Sequence, residues 1–273
     1  MKKFKKVSAL VLAVVLAFSM TACAKKRTAK EVLESSMKKS EKMTSSHMTG
    51  SAKYKIESGS SDTASSMDLS MTFDAKVSDS NKDTMKMDMG AKMSVLGQSL
   101  DMKMYYTDGY YYMNMAGQKQ KMKMDIAAMQ KQLKNTTGQS TFPTKYYKDL
   151  KLEEKDGNQV LTYKLNEDGL NEYVESVMAQ MGSFTGQTDT SSATDSIKIS
   201  AFSGTTTLDK DDNILSQTIK MTMGSKTGEA GKISITMDMK YKDPGKDVTV
   251  SLPDDLSSYQ EIASPTTEAT TAK

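Results

Sequence analysis

Residues 85–106 read MKMDMGAKMSVLGQSLDMKMYY, and the fold follows from them. Met85, Met87, Met89, Ala91, Met93 and Val95 alternate with Lys86, Asp88, Lys92 and Ser94. After a turn at Leu96-Gly97-Gln98 come Leu100, Met102, Met104 and Tyr106 in the same rhythm. A period of two puts successive side chains on opposite faces of an extended chain, so each segment is a strand with one dry and one wet face.

The pattern extends in both directions. Upstream, Met48, Ala52, Tyr54 and Ile56 alternate with polar residues, then Met67, Leu69, Met71, Phe73, Ala75 and Val77. Downstream, Asp108-Gly109 marks a tight hairpin. It leads to Tyr110 through Met115 and, past Ala116-Gly117, to Met122 and Met124. Leu150 and Leu152, an Asp156-Gly157 turn, and Leu161, Tyr163 and Leu165 form another hairpin. Strand patterns resume at 197–208, 215–223, 233–241 and 248–252. Thr28 with Glu31 is a capping box opening a helix to about Thr44. Ile126 to Leu133 suits a short helix, and Asn166 or Asp168 caps a third with Leu170, Tyr173, Val174, Val177, Met178 and Met181 at helical spacing. Residues 182–195 have loop composition. The expected fold is mainly β (α+β): a single strongly curved antiparallel sheet of about eleven strands, a half-barrel, with two or three helices over its concave apolar face.

The N-terminus is an export signal. Four lysines precede an apolar run from Val7 to Phe18 that is too short for a comfortable span, then Met20-Thr21-Ala22-Cys23. The expected organisation is a signal peptide at 1–22 cut after Ala22, a lipidated Cys23 with a basic tether to residue 27, a domain at 28–261 and a disordered tail at 262–273. Cys23 is the only cysteine, so no internal disulfide forms, and acylation gives the thiol a use. Loss of four lysines with the signal takes the formal charge from +3 to −1, which removes any case for nucleic acid as partner. Lys25, Lys26, Arg27 and Lys30 remain beside the anchor, where they suit anionic headgroups.

The tethered helix, the long β meander, the Tyr-rich TDGYYYMNM hairpin at 107–115 and the VTVSLPDD ending at 248–255 resemble the LolA/LppX-like half-barrel lipoproteins, including a Met-rich Gram-positive group of them. That resemblance implies binding of a lipid or lipoprotein acyl chain between sheet and helices.

Catalytic motifs fare poorly. Ser36-Met37-Lys38-Lys39, Tyr112-Met113-Asn114 and Lys226-Thr227-Gly228 look like the S-x-x-K, Y-x-N and K-T-G elements of penicillin-recognising enzymes, but Ser36 stands two turns inside a short helix. Asp209, Asp211 and Asn213 open like a calcium loop, yet Ile214 takes the place of the required Gly, so a solvated hairpin turn is expected. His47 has no second ligand for zinc. No cofactor motif occurs, and the expectation is a protein without catalysis.

The methionines remain. Aliphatics and Phe make up only about 14% of the mature chain, a level that suggests disorder unless its 22 Met are counted as core. Met here reads in three ways: as filler of a solid core, leaving a structural or protein-interaction module; as an adaptable lining for an apolar ligand such as a palmitate-like chain; or as a soft site for Cu(I). The second is the leading reading, with Met71, Met87, Met89, Met102, Met104, Met221, Met223 and Met237 as the lining. The membrane, through the anchor, and a lipid or other apolar small molecule are the partners it implies.

Overall fold

The computed structural model describes residues 26–58, 65–127, 130, 143–175, 197–225 and 231–262. Helix α1, Ala29–Lys42, opens with the expected capping box: Thr28 Oγ1 accepts from the Glu31 N–H, and the Glu31 carboxylate accepts from the Thr28 N–H. Twelve strands follow, β1 (Ser46–Ser58), β2 (Ser65–Ser78), β3 (Lys86–Val95), β4 (Gln98–Thr107), β5 (Tyr110–Met115), β6 (Gln118–Lys123), β7 (Tyr147–Lys155), β8 (Asn158–Leu165), β9 (Ile197–Leu208), β10 (Ile214–Ser225), β11 (Lys232–Lys242) and β12 (Gln260–Glu261). They form one open sheet in the order β12-β6-β5-β4-β3-β2-β1-β11-β10-β9-β8-β7.

The meander closes on itself because its turns are cheap. Leu96-Gly97, Asp108-Gly109, Ala116-Gly117 and Asp156-Gly157 all have positive φ at both residues, the backbone of two-residue hairpin turns whose twist matches the strands. The crossover lies between β1 and β11, which pair antiparallel from His47↔Lys242 to Glu57↔Lys232 and join the two halves of the chain into one sheet.

Two expectations are corrected. Among the described residues the sheet has twelve strands and is mixed, since β12 pairs parallel with β6. Residues 248–252 are not a strand. They belong to a strap, residues 243–262, that leaves β11 and reaches the far edge strand. There the Ile262 N–H donates to the Lys121 carbonyl at 2.8 Å.

That strap also overturns the idea of a uniformly wet outer face. Tyr105 and Tyr112 oppose each other across β4 and β5 and point outward, away from the methionines. With Tyr259 they form a buried cluster, joined by Leu252 and Leu256 from the strap. Tyr259 meets Tyr112 edge-on at 5.4 Å between ring centres. Burial of three rings, plus a Lys119–Asp255 ion pair at the rim, holds the strap down.

On the inner face, α1 packs Val32 and Leu33 onto Leu161 of β8 and Leu208 of β9. Residues 167–175 are helical, started by Asn166, whose Oδ1 accepts from the Gly169 N–H at 2.9 Å. Leu170, Tyr173 and Val174 pack against a core of Tyr163, Leu165, Ile199, Phe202, Ile219, Met221 and Ile235. The described helical cover thus lies over β7 to β11. Residues 126, 127 and 130 are helical, while 128, 129 and 131–133 of that short helix, Val177, Met178, Met181, the 182–195 loop, Cys23 and the signal lie outside the described residues.

Candidate functional site

Strand register decides which side chains share a face, and it gathers all eight candidate methionines onto the inner one. In one row Met113, Met104, Met89, Ala75, Met48 and Tyr241 are successive cross-strand partners. The next row runs through Met115, Met102, Ala91, Phe73, Gly50 and Met239, and the one beyond it through Leu100, Met93, Met71, Ala52, Met237 and Ile219. Met221 faces Ile235, and Met223 faces Ile233. Met87 sits beside Tyr106.

The face has two chemical halves. Over β7 to β9 it is built from Leu152, Leu161, Tyr163, Leu165, Phe202 and Leu208, packed beneath the described helices. Over β3 to β6 it is built largely from Met. Of the nineteen methionines among the described residues, only Met85, Met87 and Met221 are buried, and of the eight candidates only Met87 and Met221. The filled core over β7 to β9 uses branched aliphatics and aromatics, while Met85, Met87 and Met221 enter buried clusters elsewhere. Met is otherwise concentrated where the face is half-buried.

Two glycines show how tightly the filled parts pack. A Cβ on Gly204 would lie 2.2 Å from the Tyr163 ring, and one on Gly50 would lie 2.5 Å from Phe73. Each ring occupies the space that a side chain at the strand glycine would take. Tyr163 is fixed further by Gln217 Nε2 donating to its hydroxyl at 2.9 Å, while burial pushes that phenol well above its ordinary value. Burial alone pushes Tyr111, in the Met half, up to about 12.

At the opposite end from the β3–β4 turn, a second constellation holds the N-terminal helix. Asp212, buried in the β9–β10 turn, accepts from Arg27 Nη1 at 2.8 Å, Ser35 Oγ at 2.5 Å and Gln159 Nε2 at 2.9 Å. Burial raises its carboxyl, but those hydrogen bonds outweigh burial and hold it below the usual carboxylate range. The expectation of a solvated turn is corrected here. Asp209 also turns inward on the loop, accepting from the N–H groups of Asp211 and Asn213. Arg27 is likewise no free part of the tether. Lys39 adds a bond to the Asp211 carbonyl.

Beside this dock lies a cavity of about 280 Å³, lined by Lys39, Met43, Ile214, Tyr241 and Pro244 among others. None of the eight candidate methionines lines it. Among the described residues the exposed large hydrophobics are Met67, Leu96 and Met115, and all lie at the other end of the sheet, near the β3–β4 and β5–β6 turns.

The remaining motif residues have structural partners. Ser36 is buried and donates to the Leu33 carbonyl at 2.8 Å. Tyr112 belongs to the outer tyrosine cluster, and Lys226 to Gly228 lie outside the described residues. His47, on the outer face of β1, meets Asp74 at 2.8 Å. No group of three or more His, Cys, Asp or Glu able to hold a metal occurs among the described residues, and none of their helices is long and apolar enough to cross a membrane.

An open, mainly β sheet with an apolar inner face under helices defines the class of this molecule. A family model described as a family of unknown function (DUF6612) matches residues 28–259, and the chain belongs to that family. No curated protein matches it significantly. Among solved structures it is similar to LprF from Mycobacterium bovis, at 12% identity and TM-score 0.47, over 82% of this chain and 96% of that one. It is also similar to a LolA superfamily protein from Nitrosomonas europaea, at 11% identity and TM-score 0.24, over 84% of this chain and 97% of that one.

Proposed function

We propose that this chain is a membrane-anchored extracytoplasmic lipoprotein that holds a lipid or other apolar ligand against the Met-rich half of its inner face, without catalysis. Cys23 carries the anchor. The observation that supports this reading is the change along the inner face, from Leu, Phe and Tyr packed beneath the helices over β7 to β9 to half-buried Met89, Met93, Met102, Met104 and Met113 over β3 to β5. Unbranched thioether side chains adapt to an occupant of variable shape, which a permanent core does not need.

The energetics are adequate. Burying about fifteen methylenes of an acyl chain yields roughly 12 kcal/mol at about 0.8 kcal/mol each. Association costs at least about 4 kcal/mol, which leaves roughly micromolar affinity at best. Arg27, four residues after Cys23, is pinned to Asp212 through its side chain, so the anchor is tied within about 14 Å of the Arg27 backbone beside that turn even with the intervening chain fully extended. The β9–β10 turn end therefore faces the bilayer, and Met67, Leu96 and Met115 lie at the far end.

The test is mass spectrometry of organic extracts from purified Cys23→Ser protein. Recovery of a stoichiometric lipid or fatty acid is expected. Repeated absence of any co-purified apolar molecule, with the protein folded, would remove this reading and leave a solid interaction module.

A further inference from the structure

We infer that Met89, Met104 and Met113 form a binding site for a soft monovalent cation, Cu(I) or its redox-stable analogue Ag(I). The three are direct partners on adjacent strands, Met89↔Met104 on β3–β4 and Met104↔Met113 on β4–β5. Neighbouring strands lie about 4.8 Å apart, so the backbones that carry the outer two methionines stand about that distance on either side of the central one. All three are half-buried, and each sulfur moves at the end of a flexible unbranched chain. Three thioethers can therefore turn toward one ion.

An isolated triplet of this kind would be weak evidence, but its surroundings narrow the chemistry. Met102 and Met115 form the next row on the same face, directly opposed to each other. Inner-face positions of β3, β4 and β5 carry no carboxylate and no imidazole, because Asp88, Asp101 and Lys103 point outward. Hard cations and Zn(II) find no ligand there, whereas thioethers select Cu(I). On the side away from Met102, Tyr106 and Tyr111 oppose each other. The sequence made a thioether site look incomplete, since His47 and Cys23 stand alone. The register supplies three soft donors without either of them.

The site shares Met89, Met104 and Met113 with the proposed lipid face, so it is tested on delipidated exported protein carrying Cys23→Ser, where neither lipid nor thiol competes. Native mass spectrometry with Ag(I), and competition for Cu(I) held reduced by ascorbate against a chromogenic Cu(I) chelator, are the readouts. One ion per chain is expected, with no retention of Zn(II). Met104→Leu, which conserves volume and apolarity, is expected to weaken binding at least tenfold with an unchanged circular dichroism spectrum, and Met37→Leu on α1 to leave it unaltered. No stoichiometric Ag(I) or Cu(I), or equal loss in both variants, would overturn the site. Lipid recovery in the extraction experiment would be unaffected by either result.

Discussion

Replacing Asp212 tests the claim that the β9–β10 turn is the dock for the N-terminal helix. Asp212→Ala removes the acceptor of three hydrogen bonds, those from Arg27, Ser35 and Gln159. Two come from neutral donors to a charged oxygen, at about 1.5 kcal/mol each, and the Arg27 pair adds at most about 1 kcal/mol because its guanidinium is 43% exposed. Asp212 also has φ of 63°, a conformation Asp and Asn tolerate better than Ala. The expected loss is about 3–4 kcal/mol for Asp212→Ala and about 2 kcal/mol for Asp212→Asn, which keeps the turn geometry but not the charge. At roughly 2–4 °C per kcal/mol for a domain of this size, the Ala variant should melt about 10 °C lower. The pH dependence has a definite sign. A carboxylate whose folded pKa is depressed stabilises above its unfolded pKa, and that contribution is lost as pH falls through the folded pKa. Calorimetric melts of wild type and Asp212→Asn should therefore differ at pH 7 and converge in strong acid. A difference below about 0.5 kcal/mol at pH 7, or one that does not shrink in acid, would refute this account of the dock.

Gly204→Ala would drive a methyl into the Tyr163 ring and break its bond from Gln217, so we expect about 1–3 kcal/mol of destabilisation, read as a lower denaturant midpoint at unchanged slope. Tyr259→Ala should lose about 3 kcal/mol of packing against Tyr105 and Tyr112 and free the strap, so limited proteolysis within residues 243–258 should accelerate. Equal cleavage rates in wild type and variant would show that the strap is held elsewhere.

The strands were legible because half-buried antiparallel strands alternate, and β1 to β11 coincide with the alternating segments. The X-Gly turns carried their own backbone signature. What escaped was produced by contacts distant in sequence. Tyr110-Tyr111-Tyr112 is a continuous apolar run, a sign of a strand buried on both faces, but its outer cover is a strap more than 130 residues later. Val248 to Leu252 alternate like a strand yet run over the sheet instead of joining its ladder. Asp209 to Asn213 has the composition of an exposed turn, and only Arg27, Ser35 and Gln159, far away along the chain, make Asp212 a buried acceptor. For the site, the pattern was enough to put the eight methionines on one face. It could not show that Met and the aliphatics occupy different halves, because that depends on which strands lie beneath the helices.

The most direct test of the central claim is a methyl spectrum of delipidated Cys23→Ser protein labelled at the methionine ε-carbons, titrated with palmitate. Saturable shifts concentrated at Met89, Met102, Met104 and Met113, with the methyl of Met37 on α1 unmoved, are the predicted result. Methyls of β3 to β5 that stay fixed through millimolar ligand would contradict it.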